Sequence, residues 1–300
     1  MPAAIFIGHR SGDSESMDTQ RRYPQVCSCE FFPPHSEDGL QKLLVTSAEL
    51  DALRPAFRSV TYGAGGSTRE RTFVTVTALG GLGIDAAPHL TCVGSTRAGI
   101  AEILEEYRVQ GVRRIVALRG DVPSGMRDIG DFRYANELIE FIRASTGEHF
   151  HLEIAAYPEY HPQSSRPERD LDNFARKVQA GANSAITQYF YNADAYFHFI
   201  DEIEARGVDI PVVPGIMPIT NFTQLARFSD ACGTEIPRWM RRQLEAYGED
   251  RDAIRAFGLD VVTALCERLL AAGAPGLHFY TMNQSGPTLE IASRLGLLQA

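Results

Sequence analysis

The chain lacks any long apolar run. No segment approaches the roughly 20 apolar residues that a membrane-spanning helix needs, and the apolar residues 3–7 are too few for a secretory leader. Cysteine is scarce too, with five in 300 residues, an odd number in a chain large enough to need no disulfides. These absences predict a cytoplasmic protein with reduced thiols that neither spans nor enters a membrane.

Positive charge is also in deficit. The 29 Lys and Arg are outnumbered by 38 Asp and Glu, which gives a formal net charge of −9. General binding of nucleic acid or of an anionic membrane needs an excess of basic residues. We therefore expect a small-molecule substrate and no nucleic acid, although a local basic pocket for a phosphorylated cofactor stays compatible with this charge.

Several catalytic signatures are missing. The sequence contains no G-x-S-x-G elbow, no H-E-x-x-H pair and no P-loop. No lysine ends a candidate strand, which weighs against a Schiff-base aldolase. The glycine-rich turns at 63–66 and 80–83 do not match the dinucleotide fingerprint. Cys27 and Cys29 lack a second Cys/His pair at short spacing, so no metal site is expected.

What the chain does have is eight short apolar or aromatic runs that alternate with segments of helical period. These candidate strands are 26–31, 59–62, 88–93, 114–118, 152–156, 184–190, 212–216 and 277–281. Such alternation indicates parallel strands joined by crossover helices. Eight strands in a chain of this length favour a single (β/α)8 barrel over 23–300, after an N-terminal extension over 1–22 that can be flexible. The segment 236–252 predicts an extra helix before the last strand.

The active site of such a barrel lies at the C-terminal ends of its strands. Polar residues are concentrated at or just beyond those ends: Glu30, Thr61, Gly63, Thr91, Arg119, Asp121, Tyr157, Gln188, Tyr191 and Asn283. This clustering predicts a functional site at that end of the barrel.

Glu30 ends the first candidate strand. Alternation sends Val26, Ser28 and Glu30 to one face. If that face is the barrel lumen, burial among aromatic residues should raise the pKa of Glu30 and make it a proton donor near neutral pH. A structural carboxylate bonded to a loop backbone is the alternative.

The other strand ends allow two interpretations each. The triplet 119–121 can hold a phosphate or ribityl chain, or form a surface ion pair. The proline-stiffened aromatic loop 157–162 can stack on a planar ligand or cover the rim. Gln188 can offer a donor and an acceptor to an amide edge. Phe228 repeats at helical spacing with Leu225, which alone favours a core position.

Nine segments, taken in order, closely resemble methylenetetrahydrofolate reductases of the bacterial type with a catalytic domain only. They are EFFPP at 30–34, VTYGA at 60–64, PHLTC at 88–92, ALRGD at 117–121, AAYP at 155–158, GAN with AITQ at 181–188, PGI with NF at 214–222, IP with WM at 236–240, and HFYT at 278–281. Together they span about 26–295.

The resemblance implies a barrel that binds FAD non-covalently. It also implies a ping-pong reaction in which NADH or NADPH provides the reducing equivalents and 5,10-methylenetetrahydrofolate becomes 5-methyltetrahydrofolate. Glu30 aligns with the general acid, and Asp121 with the aspartate beside flavin and pterin. The implied FAD-binding residues are Thr61, His89, Arg119, Gly120, Asp121, Ala135, Tyr157, His161, Asp170 and Lys177. Gln188, Gln224, Phe228 and Gln284 would contact the substrate.

The sequence also departs from the family pattern. Gln284 stands where members often carry arginine, which puts one substrate contact in doubt. Asp170 has an alternative role as a first-turn helix carboxylate. By the same resemblance we expect a homo-oligomer without control by S-adenosylmethionine. The competing interpretations are another flavin-dependent barrel oxidoreductase, similar to proline dehydrogenase, and a non-catalytic barrel that binds folate.

Overall fold

The computed structural model describes residues 17–63, 68–121 and 129–298. Within these ranges the chain forms nine strands and eleven helices. The strands are β1 (Val26–Phe31), β2 (Phe57–Val60), β3 (Ala86–Thr91), β4 (Arg114–Leu118), β5 (His151–Ala156), β6 (Ser184–Thr187), β7 (Val212–Val213), β8 (Gly215–Ile216) and β9 (Gly276–Tyr280). The helices are α1 (Asp18–Arg21), α2 (Glu37–Glu49), α3 (Arg69–Gly81), α4 (Arg97–Val109), α5 (Ala135–Thr146), α6 (Pro167–Gln179), α7 (Ala193–Glu204), α8 (Phe222–Cys232), α9 (Arg238–Tyr247), α10 (Arg251–Ala272) and α11 (Gly286–Arg294).

The strands form one parallel sheet in the order β7-β6-β5-β4-β3-β2-β1-β9-β8. Its two edges, β7 and β8, are halves of a single stretch that Pro214 interrupts, because proline has no N–H to donate to a sheet. Since β7 pairs with β6 and β8 pairs with β9, that stretch closes the sheet into a barrel of eight strand positions. The predicted (β/α)8 barrel is confirmed, with its seventh strand broken rather than continuous.

Several strands differ from the sequence prediction in their bounds: β2 and β3 each lie two residues earlier, β6 ends three residues earlier, and β5 and β9 each begin one residue earlier. β2 begins at Phe57, two residues before the predicted start, because the charge of Arg58 concealed the strand. Arg58 is buried on the outer face, where its guanidinium donates to the carbonyl oxygen of Ser47 at 3.0 Å and pairs with Asp51. β6 ends at Thr187, where the Gln188 side chain accepts a bond from the N–H of Tyr189 at 3.0 Å and the chain turns.

The helices cover the outside of the barrel with apolar stripes. In α4 the predicted stripe of Ile100, Ile103, Leu104 and Tyr107 is buried, and the Thr96 hydroxyl caps the helix by accepting from the N–H of Gly99. The predicted extra helix is confirmed as α9, which lies between α8 and α10 in sequence. Among the described residues no helix is both long and apolar enough to cross a membrane.

The base of the barrel is closed by α1. Residues 1–16, most of the expected extension, lie outside the described residues. Met17 is buried, and the Gln20 carboxamide donates to the carbonyl oxygen of Ile210 at 3.2 Å and accepts from the N–H of Val212 at 2.9 Å. The proposed domain boundary at residue 22 stays a prediction.

The lumen of the barrel contains more polar groups than apolar ones. A small apolar cluster of Phe57, Ala87, Val116 and Ile186 occupies part of it. Two groups of identical composition flank this cluster. Ser184, His151 and Glu153 near the strand starts are called the base triplet, and Ser28, His278 and Glu30 nearer the strand ends are called the mouth triplet.

Candidate active site

A cavity of about 520 Å³ opens at the C-terminal ends of the strands. Glu30 from β1, Asp121 after β4 and Gln188 after β6 all line it, although they are far apart in sequence. The barrel topology brings them together, since the ends of parallel strands meet at one rim. Aromatic residues supply much of the remaining wall: Phe32, Tyr62, Tyr157, Tyr189, Phe228 and Tyr280.

A side chamber of about 220 Å³ adjoins this main cavity. Asp121, Tyr157 and His161 line both spaces, so the two form one site with two lobes. The Tyr157 and His161 rings meet edge to face with centroids 4.6 Å apart. The aromatic loop after β5 therefore forms the wall between the lobes.

Most of the residues expected to bind a cofactor lie around these lobes. Thr61 and His89 line the main cavity, and the side chamber is lined by Arg119, Gly120, Ala135 and Lys177 in addition to the shared residues. Asp170 lines neither lobe. Its carboxylate accepts a hydrogen bond from the backbone N–H of His161 at 3.0 Å, so its observed contact orders the aromatic loop.

The side chamber has a positive electrostatic character. Burial lowers the pKa of Lys177 to about 8, an effect that the nearby Asp170 carboxylate partly opposes. Lys177 donates to the carbonyl oxygen of Ala155. Arg119 donates to the side-chain oxygen of Gln163 and to the carbonyl oxygen of Gly120. All three acceptors are neutral oxygens. Helix α5 begins at Ala135 in the chamber wall, and its N-terminus has no side-chain cap. Two cations and a helix N-terminus suit an anionic ligand.

Gly120 is required by the turn that separates Arg119 from Asp121. Its φ is +83°, and a Cβ atom there would lie 2.8 Å from Cβ of Thr91. Any other residue would meet both backbone strain and a clash. The glycine thus lets Arg119 line the side chamber while Asp121 lines both lobes.

The mouth triplet contacts the floor of the main cavity through Glu30. Its Oε2 atom lies 3.1 Å from Nε2 of His89, 3.6 Å from Nε2 of His278 and 3.4 Å from the Ser59 hydroxyl. The Ser28 hydroxyl lies 2.7 Å from Nδ1 of His278. The Glu30 carbonyl oxygen accepts from the Thr281 hydroxyl at 2.6 Å, which fixes the end of β1 against β9.

The expectation of a raised pKa for Glu30 is wrong. Burial does raise the pKa of this carboxyl, but the interactions with the His89 and His278 imidazoles outweigh burial and lower it to about 2. Sequence alternation placed Glu30 in the lumen but carried no information on the two imidazoles beside it. With these partners Glu30 is an ionised carboxylate at neutral pH.

The residues expected to contact substrate are divided between the cavity and the surface. Gln188 and Phe228 line the main cavity, so the core position that helical spacing favoured for Phe228 is only part of its role. Gln224, one helical turn before Phe228, and Gln284 are exposed and line neither lobe.

Other polar residues at the strand ends have structural contacts. The Tyr191 hydroxyl is buried and donates to the carbonyl oxygen of Met217, and the Asn283 side chain bonds both the N–H and the carbonyl oxygen of Phe32. In the glycine-rich turn, the N–H of Gly63 donates to the Thr68 hydroxyl at 2.7 Å. Residues 64–67 of that turn lie outside the described residues.

Sequence reasoning missed His278 and Tyr280, which flank Glu30 from β9. The rings of His278 and Tyr280 meet edge to face, and the Tyr280 hydroxyl donates to the carbonyl oxygen of Thr187 at 2.8 Å. The HFYT segment and its alternation were visible in the sequence. The register that pairs Ser28 with His278 and Glu30 with Tyr280 was not.

Comparisons with known proteins place the whole chain in a family. The family model described as methylenetetrahydrofolate reductase matches residues 17–296. A 5,10-methylenetetrahydrofolate reductase from Pectobacterium carotovorum subsp. carotovorum is 37% identical over 273 residues, covering 90% of each chain. One from Buchnera aphidicola subsp. Schizaphis graminum is 39% identical over 272 residues, covering 90% of this chain and 92% of the relative.

A solved structure shares the fold at lower identity. It is an uncharacterized protein from Clostridium thermocellum that binds two copies of 5-methyl-5,6,7,8-tetrahydrofolic acid. The TM-score is 0.61 at 16% identity, with 93% of this chain and 95% of that chain covered, which shows a common fold and no more. The family model and the two bacterial relatives, by contrast, each cover about nine-tenths of the sequence, and on that basis the chain belongs to the methylenetetrahydrofolate reductase family.

Proposed function

We propose that this chain is an FAD-dependent methylenetetrahydrofolate reductase. It would use NADH or NADPH to reduce 5,10-methylenetetrahydrofolate to 5-methyltetrahydrofolate by a ping-pong mechanism. The observation that carries the proposal is the meeting of Glu30, Asp121 and Gln188 around one cavity whose side chamber is positively charged.

The side chamber fits the diphosphate part of FAD. Lys177 is a buried cation whose pKa is depressed by burial to about 8, so it gains stability from an anion placed beside it. Arg119 and the N-terminus of α5 would bind the same group. Tyr157 and His161, at the boundary between the lobes, would then hold the flavin end toward the main cavity.

Bound FAD would supply hydride transfer, taking a hydride from the nicotinamide and passing it to the folate. The protein residues bind and orient the reactants around it. Asp121 would bind the pterin, Gln188 would pair with its amide edge, and Phe228 would stack on nicotinamide and folate in turn. Gln224 and Gln284 would reach the substrate from the surface side of the site.

Glu30 would act as the general acid. The methylene carbon accepts hydride only after its bond to N10 opens, and that nitrogen must then gain a proton. Because its two imidazole partners keep Glu30 ionised at neutral pH, it must take up a proton during the cycle. Ligands that cover the cavity exclude water, which favours the neutral carboxylic acid.

The test is the colour of the purified protein. We expect a yellow protein that NADH or NADPH bleaches and that 5,10-methylenetetrahydrofolate returns to yellow. Bleaching without recovery on adding folate would instead support another flavin-dependent barrel reductase. A colourless protein that binds folate but cannot be reconstituted with FAD would support a non-catalytic folate-binding barrel. Anaerobic reduction with each nicotinamide separately would identify the preferred reductant.

The proposal includes a cytoplasmic homo-oligomer. All five cysteines are free, and burial raises the pKa of Cys27, Cys29, Cys92 and Cys266, which keeps these four as unreactive thiols. Reduced thiols suit the cytoplasm. Light scattering on the FAD-loaded protein would measure the number of subunits.

A further inference from the structure

His278 is fully buried in the barrel lumen with one ring nitrogen held and the other without a hydrogen-bond partner. Nδ1 lies 2.7 Å from the Ser28 hydroxyl. Nε2 lies 3.6 Å from Oε2 of Glu30, beyond hydrogen-bond distance, and has no partner among the described residues. Buried polar atoms are rarely left unpaired, so this nitrogen calls for an explanation.

We propose that His278, anchored by Ser28, is a positioning residue for the proposed general acid Glu30. Its imidazole holds the Oε2 edge of the carboxylate toward the lumen, which leaves the other carboxyl oxygen to face the cavity and the ligand. The inference rests on the proposed function, in which Glu30 delivers a proton to the folate.

The packing around the ring leaves it a single orientation. Phe57 stacks against the His278 ring at 6.0 Å, and Tyr280 meets it edge to face at 5.3 Å. The neighbouring position on β8 is Gly215, whose missing side chain leaves room for Tyr280. Nε2 is thereby directed at Glu30 and at no other carboxylate of the described lumen.

The charged and titratable groups that face this ring come from every neighbouring strand. They are Glu30 on β1, His89 on β3, Arg114 on β4 behind the Phe57 ring, and Tyr280 on β9. The other two neighbouring strands contribute uncharged residues, Phe57 and Ser59 on β2 and Gly215 on β8. Glu30 is the one carboxylate among these groups, so a substitution of His278 should change the ionisation of Glu30 directly. The interaction with His278 is among the causes that lower the Glu30 pKa.

The test uses two substitutions that distinguish the role of the Nδ1 atom, which contacts Ser28, from that of the Nε2 atom, which lies beside Glu30. His278→Asn keeps an amide near the Nδ1 position, within reach of Ser28, and leaves nothing beside Glu30. His278→Gln can place an amide near the Nε2 position but has no ring. The control is His151→Asn in the base triplet, which has the same three residue types but lies away from the cavity; there Nε2 of His151 makes both contacts, 2.5 Å to the Ser184 hydroxyl and 3.3 Å to Oε1 of Glu153.

Two measurements are made on the FAD-loaded protein. The rate of flavin reoxidation by methylenetetrahydrofolate should fall about tenfold or more in His278→Asn, because a misoriented acid loses most of its effect. The half-saturating folate concentration and the rate of bleaching by NAD(P)H should stay within about threefold. His278→Gln should be intermediate, and His151→Asn should match the wild type.

The second readout is independent of turnover. Carbon-13 NMR of the Glu30 carboxyl, assigned with Glu30→Gln, should show its titration midpoint raised by roughly one pH unit in His278→Asn and unchanged in His151→Asn. An unchanged midpoint in His278→Asn, or equal slowing of both half-reactions, would overturn the positioning role. A wild-type protein that never regains its colour with folate would defeat the proposed function instead, and the NMR result would then stand alone.

Discussion

The mouth and base triplets contain the same three residue types and differ in what completes them. At the base, Nη1 of Arg114 lies 2.5 Å from Oε1 of Glu153, and Asp85 lies 3.4 Å from the same guanidinium. At the mouth, Glu30 has no arginine among its described partners and meets two imidazoles instead. The base carboxylate has an arginine as well as an imidazole beside it, whereas the described side-chain partners of the mouth carboxylate are two imidazoles and a hydroxyl.

Under the proposed function, this difference would separate a structural carboxylate from a reactive one within one lumen. Burial opposes ionisation of both carboxyls, and their partners lower both pKa values, with the His151 hydrogen bond and then the Arg114 charge as the leading causes for Glu153. A carboxylate held by arginine stays ionised throughout any cycle. A carboxylate held by imidazoles at the floor of a cavity can become an acid when a ligand covers it. Burial and charge alone would not distinguish the two glutamates.

The largest expected effect follows from neutralising each glutamate in turn. Glu30→Gln should slow flavin reoxidation by methylenetetrahydrofolate about 10²–10⁴-fold, the usual contribution of general acid catalysis. Bleaching by NAD(P)H, which needs no proton from Glu30, should be nearly unchanged, and Glu153→Gln should leave both half-reactions intact. Stopped-flow absorbance of each half-reaction makes the measurement. Equal slowing of both by Glu30→Gln would remove it from the acid role.

The next effect is on stability and belongs to the base. Arg114→Met keeps an apolar contact with Phe57 but leaves Glu153 as a buried charge without its cation. The free energy of unfolding should fall by roughly 3 kcal/mol, toward the lower end of that class because the arginine is partly exposed. Urea unfolding at fixed FAD concentration measures it. The double variant Arg114→Met/Glu153→Gln should recover most of the loss, and failure to recover would show that the lost packing of Arg114 dominates.

The barrel was predictable because its signals are local. Each candidate strand was a short run of β-branched or aromatic residues, and the α4 stripe needed only a 3.6-residue period. The errors have the same origin. Arg58 looks like a loop residue until its carboxylate and carbonyl partners are known, and Pro214 splits a strand that composition alone predicts as continuous.

A third prediction concerns the cation of the side chamber. With a pKa of about 8, the Lys177 side chain is mostly charged below that pH and mostly neutral above it. An anion favours the charged form, so FAD affinity should be highest below pH 8 and fall as the pH rises through and beyond that value. Lys177→Met should bind FAD about 10–100-fold more weakly and show a flatter pH dependence.

The matched control for Lys177 is Arg169→Met, which removes an exposed cation from the same helix, α6, away from both lobes. Fluorescence titration of the apoprotein with FAD measures the affinities. Identical losses in the two variants would mean that the net charge of the protein, and not the chamber, attracts the cofactor.

The composition of the site was less predictable than the fold. Strand ends identified Glu30, Asp121 and Gln188, because the rim of a barrel collects them whatever their order in sequence. The protonation state of Glu30 could not be predicted from the sequence. It depends on His278 and His89 from two other strands, and on the strand register that places both imidazoles beside the carboxylate. Gln224 and Gln284 were selected by resemblance alone, and both are exposed outside the two lobes, because a resemblance gives a position in the sequence and not the direction of its side chain.

The smallest expected effects come from removing two carboxamides, each of which joins backbone segments at one end of the barrel. Gln20 at the base is buried and bonds Ile210 and Val212, whereas Asn283 at the mouth is partly exposed and bonds both backbone groups of Phe32. Water can replace the partners at the mouth but not at the base. Gln20→Ala should therefore cost about 2 kcal/mol of unfolding free energy and Asn283→Ala about 1 kcal/mol.

The Asn283→Ala substitution has a second effect on the unfolding free energy, which must be separated from the loss of the two hydrogen bonds. Its φ is +56°, which asparagine tolerates and alanine does not, so part of the loss in Asn283→Ala is backbone strain. Asn283→Gly removes the same hydrogen bonds without that strain and should lose less than Asn283→Ala. Urea unfolding of the three variants gives the order. If Asn283→Gly proved as costly as Gln20→Ala, solvent would not be replacing the bonds at the mouth, and the two ends of the barrel would be equally rigid.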